Sequence, residues 1–143
     1  MVSATDVVSA AREEIGTPWV HQGRLPGLAL DCAGLVIVTA RRLGLVPVDF
    51  DRGGYGRMPD GTLLDVCRAH MQRMSRPSLG AVAVLIVDAL PQHLGIVGDY
   101  RHGGWSLIHA CSDASPPRVV ETRWMLARNN RVAALSRLPG VRG

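Results

Sequence analysis

The chain has 143 residues and a mass of 15.4 kDa, the size of one domain on a scale of ~100–200 residues. With 47% hydrophobic and 20% charged residues it can bury a core, which excludes global disorder, and no run approaches the ~18 apolar residues of a membrane-spanning helix. The net charge is +4, all 16 basic residues are Arg, and only Arg41 and Arg42 are adjacent. Without a zinc-finger, RNP or helix-turn-helix signature, that scatter gives no basis for sequence-specific nucleic-acid binding.

The first residues, Met-Val-Ser-Ala-Thr-Asp, lack the basic-then-apolar order of a secretory leader, so export by a leader of its own is not expected. Ser3 or Thr5 is a cap for a first helix running to about Ile15, with Val7, Val8, Ala11 and Ile15 as its apolar stripe. Gly16-Thr17-Pro18 ends it. Trp19 to Leu30, with two Gly and a Pro, reads as a structured loop. Asp31 sits where an N-cap belongs, and the apolar run from Cys32 to Leu43 predicts a central buried helix stopped by Gly44. Residues 47–60 read as loop, and a third helix is expected from Asp60 to about Met74. It carries Cys67 as a core residue and His70 at its surface.

After the turn Pro77–Gly80 the pattern is that of strands. Ala81 to Val87 is a continuous apolar run. His93 to Asp99 alternates, with His93, Gly95 and Val97 on one face and Leu94 and Ile96 on the other. Arg101–Gly104 is a hairpin signal that includes His102. Trp105 to Cys111 places Leu107, His109 and Cys111 on one face. A turn over Ser112–Pro117, a short strand Arg118–Glu121 and a closing strand Arg131–Leu138 complete the chain. Helices followed by an antiparallel meander predict a single α+β domain over residues 1–143.

Three cysteines, an odd number with no C-x-x-C, suggest neither a disulfide framework nor a zinc ribbon. One of them, Cys32, falls in the first turn of a predicted helix. There the unpaired N–H groups and the helix dipole favour a thiolate, and the small residues Ala33 and Gly34 leave the backbone open to an oxyanion. A nucleophile needs a base, and the base needs an orienting partner. His93 opens a strand, and His109 lies on the next strand, on a face that antiparallel pairing can share with His93. Each of the three also has a bland reading, as a buried thiol or a structural imidazole. No close pair of ligands points to a metal.

Four segments carry a resemblance. Asp31-Cys-Ala-Gly-Leu-Val36 resembles the D-C-[SA]-G-L-V nucleophile motif of the NlpC-type cell-wall cysteine peptidases. Gln92-His-Leu-Gly-Ile-Val97 and Leu107-Ile-His-Ala110 resemble that family's H-[VL]-G-I and I-H-A strands, and Gly16-Thr-Pro-Trp19 with Gly23 resembles the segment before its Cys. The match runs in order over residues ~8–138. Residues 17–24, Ile108-His-Ala110, Arg118-Val-Val-Glu121 and Arg137-Leu-Pro-Gly140 are similar to the branch found among tail genes of phages, prophages and gene transfer agents. One departure is Gly80-Ala81, where the family usually has Gly-Asp, so local capping must differ.

The resemblance implies a papain-like fold and hydrolysis of peptidoglycan stem peptides, with no metal or cofactor. Cys32 would be the nucleophile, His93 the base and His109 its orienter. His21, Gln22 and Ala33 would serve oxyanion or substrate binding. Cys111, two residues from His109, is either a packing residue or a redox partner for Cys32. The implied protein is made in the bacterial cytoplasm and rides at the tail tip of a phage-like particle, on a hub or tip protein. There it would open the recipient's wall for DNA delivery without entering a membrane. A catalytically silent tail-tip subunit is the alternative, and an acyltransferase on the same scaffold a more distant one.

Overall fold

A computed structural model describes residues 1–51, 69, 71–87, 90–124 and 132–142. Helix α1 spans Ala4–Arg12 and helix α2 Cys32–Arg42. Strands β1 (Val2–Ser3), β2 (Arg24–Leu25), β3 (Ala29–Leu30), β4 (Gln72–Met74) and β5 (Val82–Val87) are followed by β6 (Leu90–Asp99), β7 (Trp105–Cys111), β8 (Arg118–Trp124), β9 (Val132–Arg137) and β10 (Val141–Arg142).

Ser3, not Thr5, caps α1. Its hydroxyl accepts the Asp6 N–H while Asp6 accepts the Ser3 N–H, a reciprocal box that satisfies two otherwise unpaired donors. The helix stops at Arg12, earlier than the apolar spacing suggests. Ile15 is 47% exposed, because the chain turns away at Gly16 (φ 94°), whose N–H bonds to the Val119 carbonyl at 2.9 Å. Val7, Val8 and Ala11 face inward as expected.

Helix α2 is buried all round, from Ala33 to Ala40. A helix without a polar face belongs in the centre of a domain, and burial here overrides the modest helix propensity of its β-branched residues. Thr39 remains satisfied by donating to the Leu35 carbonyl at 2.7 Å. One core cluster joins Val7 and Ala11 of α1, Leu35, Val36 and Val38 of α2, and Leu94, Ile96, Ile108 and Val119 of the sheet. Each buried Val, Leu or Ile among them stabilises the fold by about 1.5–3 kcal/mol. A second cluster, Ala81, Ala83, Val97, Leu107 and Leu135, joins the residues that alternate with these.

The six-stranded sheet has the order β4-β9-β5-β6-β7-β8. Strands β5 to β8 form the expected meander, but the chain then crosses back and places β9 against β5. The predicted helix over 60–74 is corrected at its end, where Gln72–Met74 is an edge strand paired with Arg137–Leu135. Its remainder, with Cys67 and His70, lies outside the described residues. The Trp19–Leu30 loop contains the β2–β3 hairpin, and β1 pairs in parallel with β10, tying the two ends together. Strand β8 runs on to Trp124, and β6 begins before His93. Where the family resemblance leads one to expect Asp, Ala81 is buried; its N–H bonds to the Ser78 carbonyl and its own carbonyl to the Val97 N–H.

Candidate active site

Asp31 organises the start of α2. Its carboxylate accepts the Gly34 N–H at 2.7 Å, the Gln22 N–H at 2.8 Å and Arg24 Nη1 at 2.9 Å. An anion at a helix N-terminus is favoured by the dipole and by the unpaired amides. The same three bonds bring the Val20–Gly23 turn against the helix start. This turn is closed by the Gly23 N–H on the Val20 carbonyl at 2.8 Å, with His21 and Gln22 at its centre. Gln22 has φ 59°, so its backbone, through Asp31, is its structural contribution. Arg24 also binds Asp51 through Nε. This buried Arg24–Asp31 pair carries the site's framework and was not singled out from the sequence, although Arg24 lies in the matched 17–24 segment.

Gly34 is needed for a reason other than access. A Cβ there would lie 2.1 Å from the Gly23 carbonyl oxygen, so the hairpin entrance and the helix touch backbone to backbone. Cys32 and Ala33 precede the capped amides in the first turn, where helix geometry leaves N–H groups without an intrahelical partner.

The Cys32 sulfur lies against strand β6. The backbone N–H groups of Leu94 and Ala33 are close enough to favour its charged form, so it sits near the peptide that links His93 to Leu94. A β-bulge helps set this position. Leu85 pairs with His93 and Ile86 with Pro91, which makes Gln92 the extra residue immediately before the imidazole. Such bulges re-aim the side chains next to them.

His93 Nε2 and His109 Nδ1 are 2.8 Å apart, and the rings meet edge to face. The sequence placed these two on one face, and the geometry brings them into contact. Because Nε2 is engaged, Nδ1 is the His93 nitrogen left for proton exchange. His109 Nε2 in turn lies 3.4 Å from Thr122 Oγ1. Thr122 had no sequence signal, since finding it requires the β7–β8 register. Cys111 is a free thiol on β7. His102 sits in the β6–β7 hairpin beside the Tyr100 ring.

Burial works against the thiolate that the start of α2 favours. Burial pushes the Cys32 thiol up to about 11, with the Asp31 charge adding to the rise, while the Leu94 and Ala33 amides and Arg24 only partly oppose it. Burial, together with His109, pushes His93 down to about 4, and burial also lowers His109. Desolvation penalises every charged form here. At neutral pH the site therefore rests as a neutral thiol beside two neutral imidazoles.

No protein-family model matches the sequence, and no curated protein does. Solved structures do. The chain is similar to the NlpC/p60 domain of the peptidoglycan hydrolase SagA at 19% identity, with a TM-score of 0.61 over 96% of this chain and 100% of that one. It is similar to NlpC1 of Trichomonas vaginalis at 18% identity and TM-score 0.67, over 92% of this chain and 42% of that one. An N-acetylmuramoyl-L-alanine amidase of Bacteroides uniformis aligns at 11% identity and TM-score 0.57, over 95% of this chain and 98% of that one. The chain has the papain-like fold of NlpC/p60 domains. Within that fold Cys32 opens α2, while His93 lies within β6 and His109 within β7.

Proposed function

We propose that the protein is a cysteine peptidase that hydrolyses peptide bonds in peptidoglycan stem peptides. The observation that carries the reading is the contact of His93 Nε2 with His109 Nδ1, beside a Cys32 sulfur held against the Leu94 amide. Two fold neighbours, a peptidoglycan hydrolase and an N-acetylmuramoyl-L-alanine amidase, support wall peptides as the substrate class.

Cys32 Sγ attacks the amide carbonyl carbon as its proton passes to His93 Nδ1. Transfer is coupled to attack, because neither partner is charged beforehand. The N–H groups at the start of α2, Cys32 and Ala33 among them, face the developing oxyanion. His21 and Gln22 line the approach from the 20–23 turn. His93 then gives its proton to the leaving amine, and a thioester remains. Water, deprotonated by His93, attacks the thioester and releases the carboxylate and the thiol. His109 holds the His93 ring throughout. We further propose that the enzyme is carried by a hub or tip protein at the tail tip of a phage-like particle and opens the recipient wall. The resemblance at residues 17–24, 108–110, 118–121 and 137–140 supports that setting.

The test is digestion of purified sacculi with wild type and Cys32→Ala, followed by muropeptide analysis. Products carrying a new amine within the stem peptide, formed by wild type alone, are expected. Products freed at the lactyl–L-alanine bond would instead assign amidase chemistry. Equal products from both proteins would defeat the thiol mechanism. No product from wild type, either alone or assembled in particles, would favour a silent tail-tip subunit. Mass spectrometry of purified particles tests the location, and its failure to find the chain would remove the tail role.

A further inference from the structure

The chain of contacts that leaves His93 does not end at His109. Thr122 is paired with Leu107 in the β7–β8 ladder, and His109 is paired with Val120. Thr122 is therefore the diagonal neighbour of His109 on the same face of the sheet, within reach of its ring. Its Oγ1 lies 3.4 Å from His109 Nε2, the ring nitrogen that His93 does not use.

We propose that Thr122 is a positioning residue that holds His109 with Nδ1 toward His93, and so keeps His93 in the tautomer that accepts the thiol proton. This rests on the peptidase reading of the site. The argument follows from proton counting along the chain. To receive a proton at Nδ1, neutral His93 must carry its own proton on Nε2. That Nε2–H must then be donated to His109 Nδ1, which has to be an acceptor. A neutral His109 with an acceptor at Nδ1 carries its proton on Nε2 and needs an acceptor there. The hydroxyl oxygen of Thr122 is the group at that position. Reversed, with the proton on His109 Nδ1, the bond would run toward His93 Nε2 and leave the proton of His93 on Nδ1. The ring could then take nothing from Cys32. A misdirected tautomer of this kind disables a triad whose geometry is otherwise intact. Both imidazoles are held neutral by burial, so the tautomer decides which ring atom accepts.

The test compares Thr122→Val, which keeps the shape and β-branching but removes the oxygen, with Thr122→Ser, which keeps the oxygen. Thr122 is on the exposed surface, so both variants should fold, and a thermal melt checks this. Two readouts need no substrate. Nitrogen-15 NMR of the His109 ring should show the proton on Nε2 in wild type and Thr122→Ser, and a mixed or reversed tautomer in Thr122→Val. Alkylation of Cys32 by iodoacetamide, with Cys67 and Cys111 replaced by Ser, should slow in Thr122→Val alone. On sacculi, Thr122→Val should lower kcat by about five- to tenfold with KM unchanged, the rate equivalent of one neutral hydrogen bond. An unchanged His109 tautomer and an unchanged alkylation rate in Thr122→Val would overturn the proposal. Failure of wild type to cleave wall peptides would instead overturn the peptidase reading, leaving the tautomer and alkylation measurements to decide on Thr122.

Discussion

The seam between α1 and the sheet and the site at the start of α2 treat polar groups in opposite ways. In the seam, Arg12 binds both oxygens of Glu121 at 2.9 and 2.8 Å and also reaches Asp99 at 2.9 Å, while Ser106 donates to Glu121 at 2.6 Å. These partners lower the pKa values of Glu121 and Asp99 and raise that of Arg12. Each charged form is favoured. At the site the shifts run the other way, and Cys32, His93 and His109 are each held neutral. Opposite charges placed within hydrogen-bond range fasten elements together. Neutral groups in a partly buried cluster cost less to desolvate and stay free to exchange a proton. The first arrangement serves the scaffold, and the second leaves the proton movable.

The sharpest way to break the comparison is to remove the thiol. Cys32→Ala should lower hydrolysis of sacculi by about 10⁴-fold or more, as expected when a nucleophile is lost from a unit that acts together. Because the thiol is neutral and contributes no ion pair, thermal stability should change little. A large fall in Tm would mean that the sulfur is structural. Alkylation sharpens the same point. With Cys67 and Cys111 replaced by Ser, the reaction of Cys32 with iodoacetamide should be slow at pH 7 and climb toward pH 11. A plateau near pH 7 would show that the helix terminus outweighs burial after all.

Gly34→Ala comes next and tests the framework beneath the site. The added Cβ would meet the Gly23 carbonyl, so the hairpin and α2 must separate. A loss of about 2–4 kcal/mol in urea unfolding is expected, with activity falling as the Asp31 bonds to Gln22 and Gly34 stretch. No change in stability would mean that the hairpin moves aside freely.

Much of this was legible before any coordinates. Asp31 as a cap, the burial of α2 and the shared face of His93 and His109 follow from local pattern, because capping chemistry and strand alternation are properties of neighbouring residues. What was not legible depends on partners far apart in the chain. The return of β9 to β5, the strand at Gln72–Met74 and the pairing of Thr122 with Leu107 are set by sheet closure and register. The pull of burial on the thiol was not legible for a related reason. The helix terminus that favours ionisation can be read from Asp31-Cys32, but the desolvation that outweighs it comes from packing against β6. Gly34 was read as leaving space, whereas it lets two backbone segments touch.

The acid limb of stability separates the two networks by pH. An unfolded His93 takes up a proton below about 6.5, while the folded one resists until about 4. The stability this represents is present above pH 6.5 and lost as the pH falls toward 4, because the unfolded chain binds the extra proton. The loss amounts to about 3 kcal/mol over that interval. Glu121 and Asp99 have lowered pKa values, so their contribution is present above the ordinary carboxylate range and is lost as the pH falls through that range and below it. Urea unfolding at pH 7, 5.5 and 4.5 should therefore show wild type weakening relative to His93→Gln before the seam begins to fail. Parallel behaviour of the two proteins across that window would show that His93 is not desolvated.

Breaking the seam gives the smallest effect. Arg12 is 37% exposed and Glu121 20% exposed in their side chains, so water screens part of the attraction. Replacing Arg12 with Met keeps the aliphatic stem over α1 and removes the charge. Glu121 retains the Ser106 hydroxyl and enough exposure to be solvated, so the loss should be about 1–2 kcal/mol, shrinking in high salt. Hydrolysis at a temperature well below the melt should be unchanged, since the charged network and the neutral one share no side chain. If Arg12→Met instead lowers kcat in proportion to stability, the seam also sets the position of β6. The two networks would then be one coupled unit.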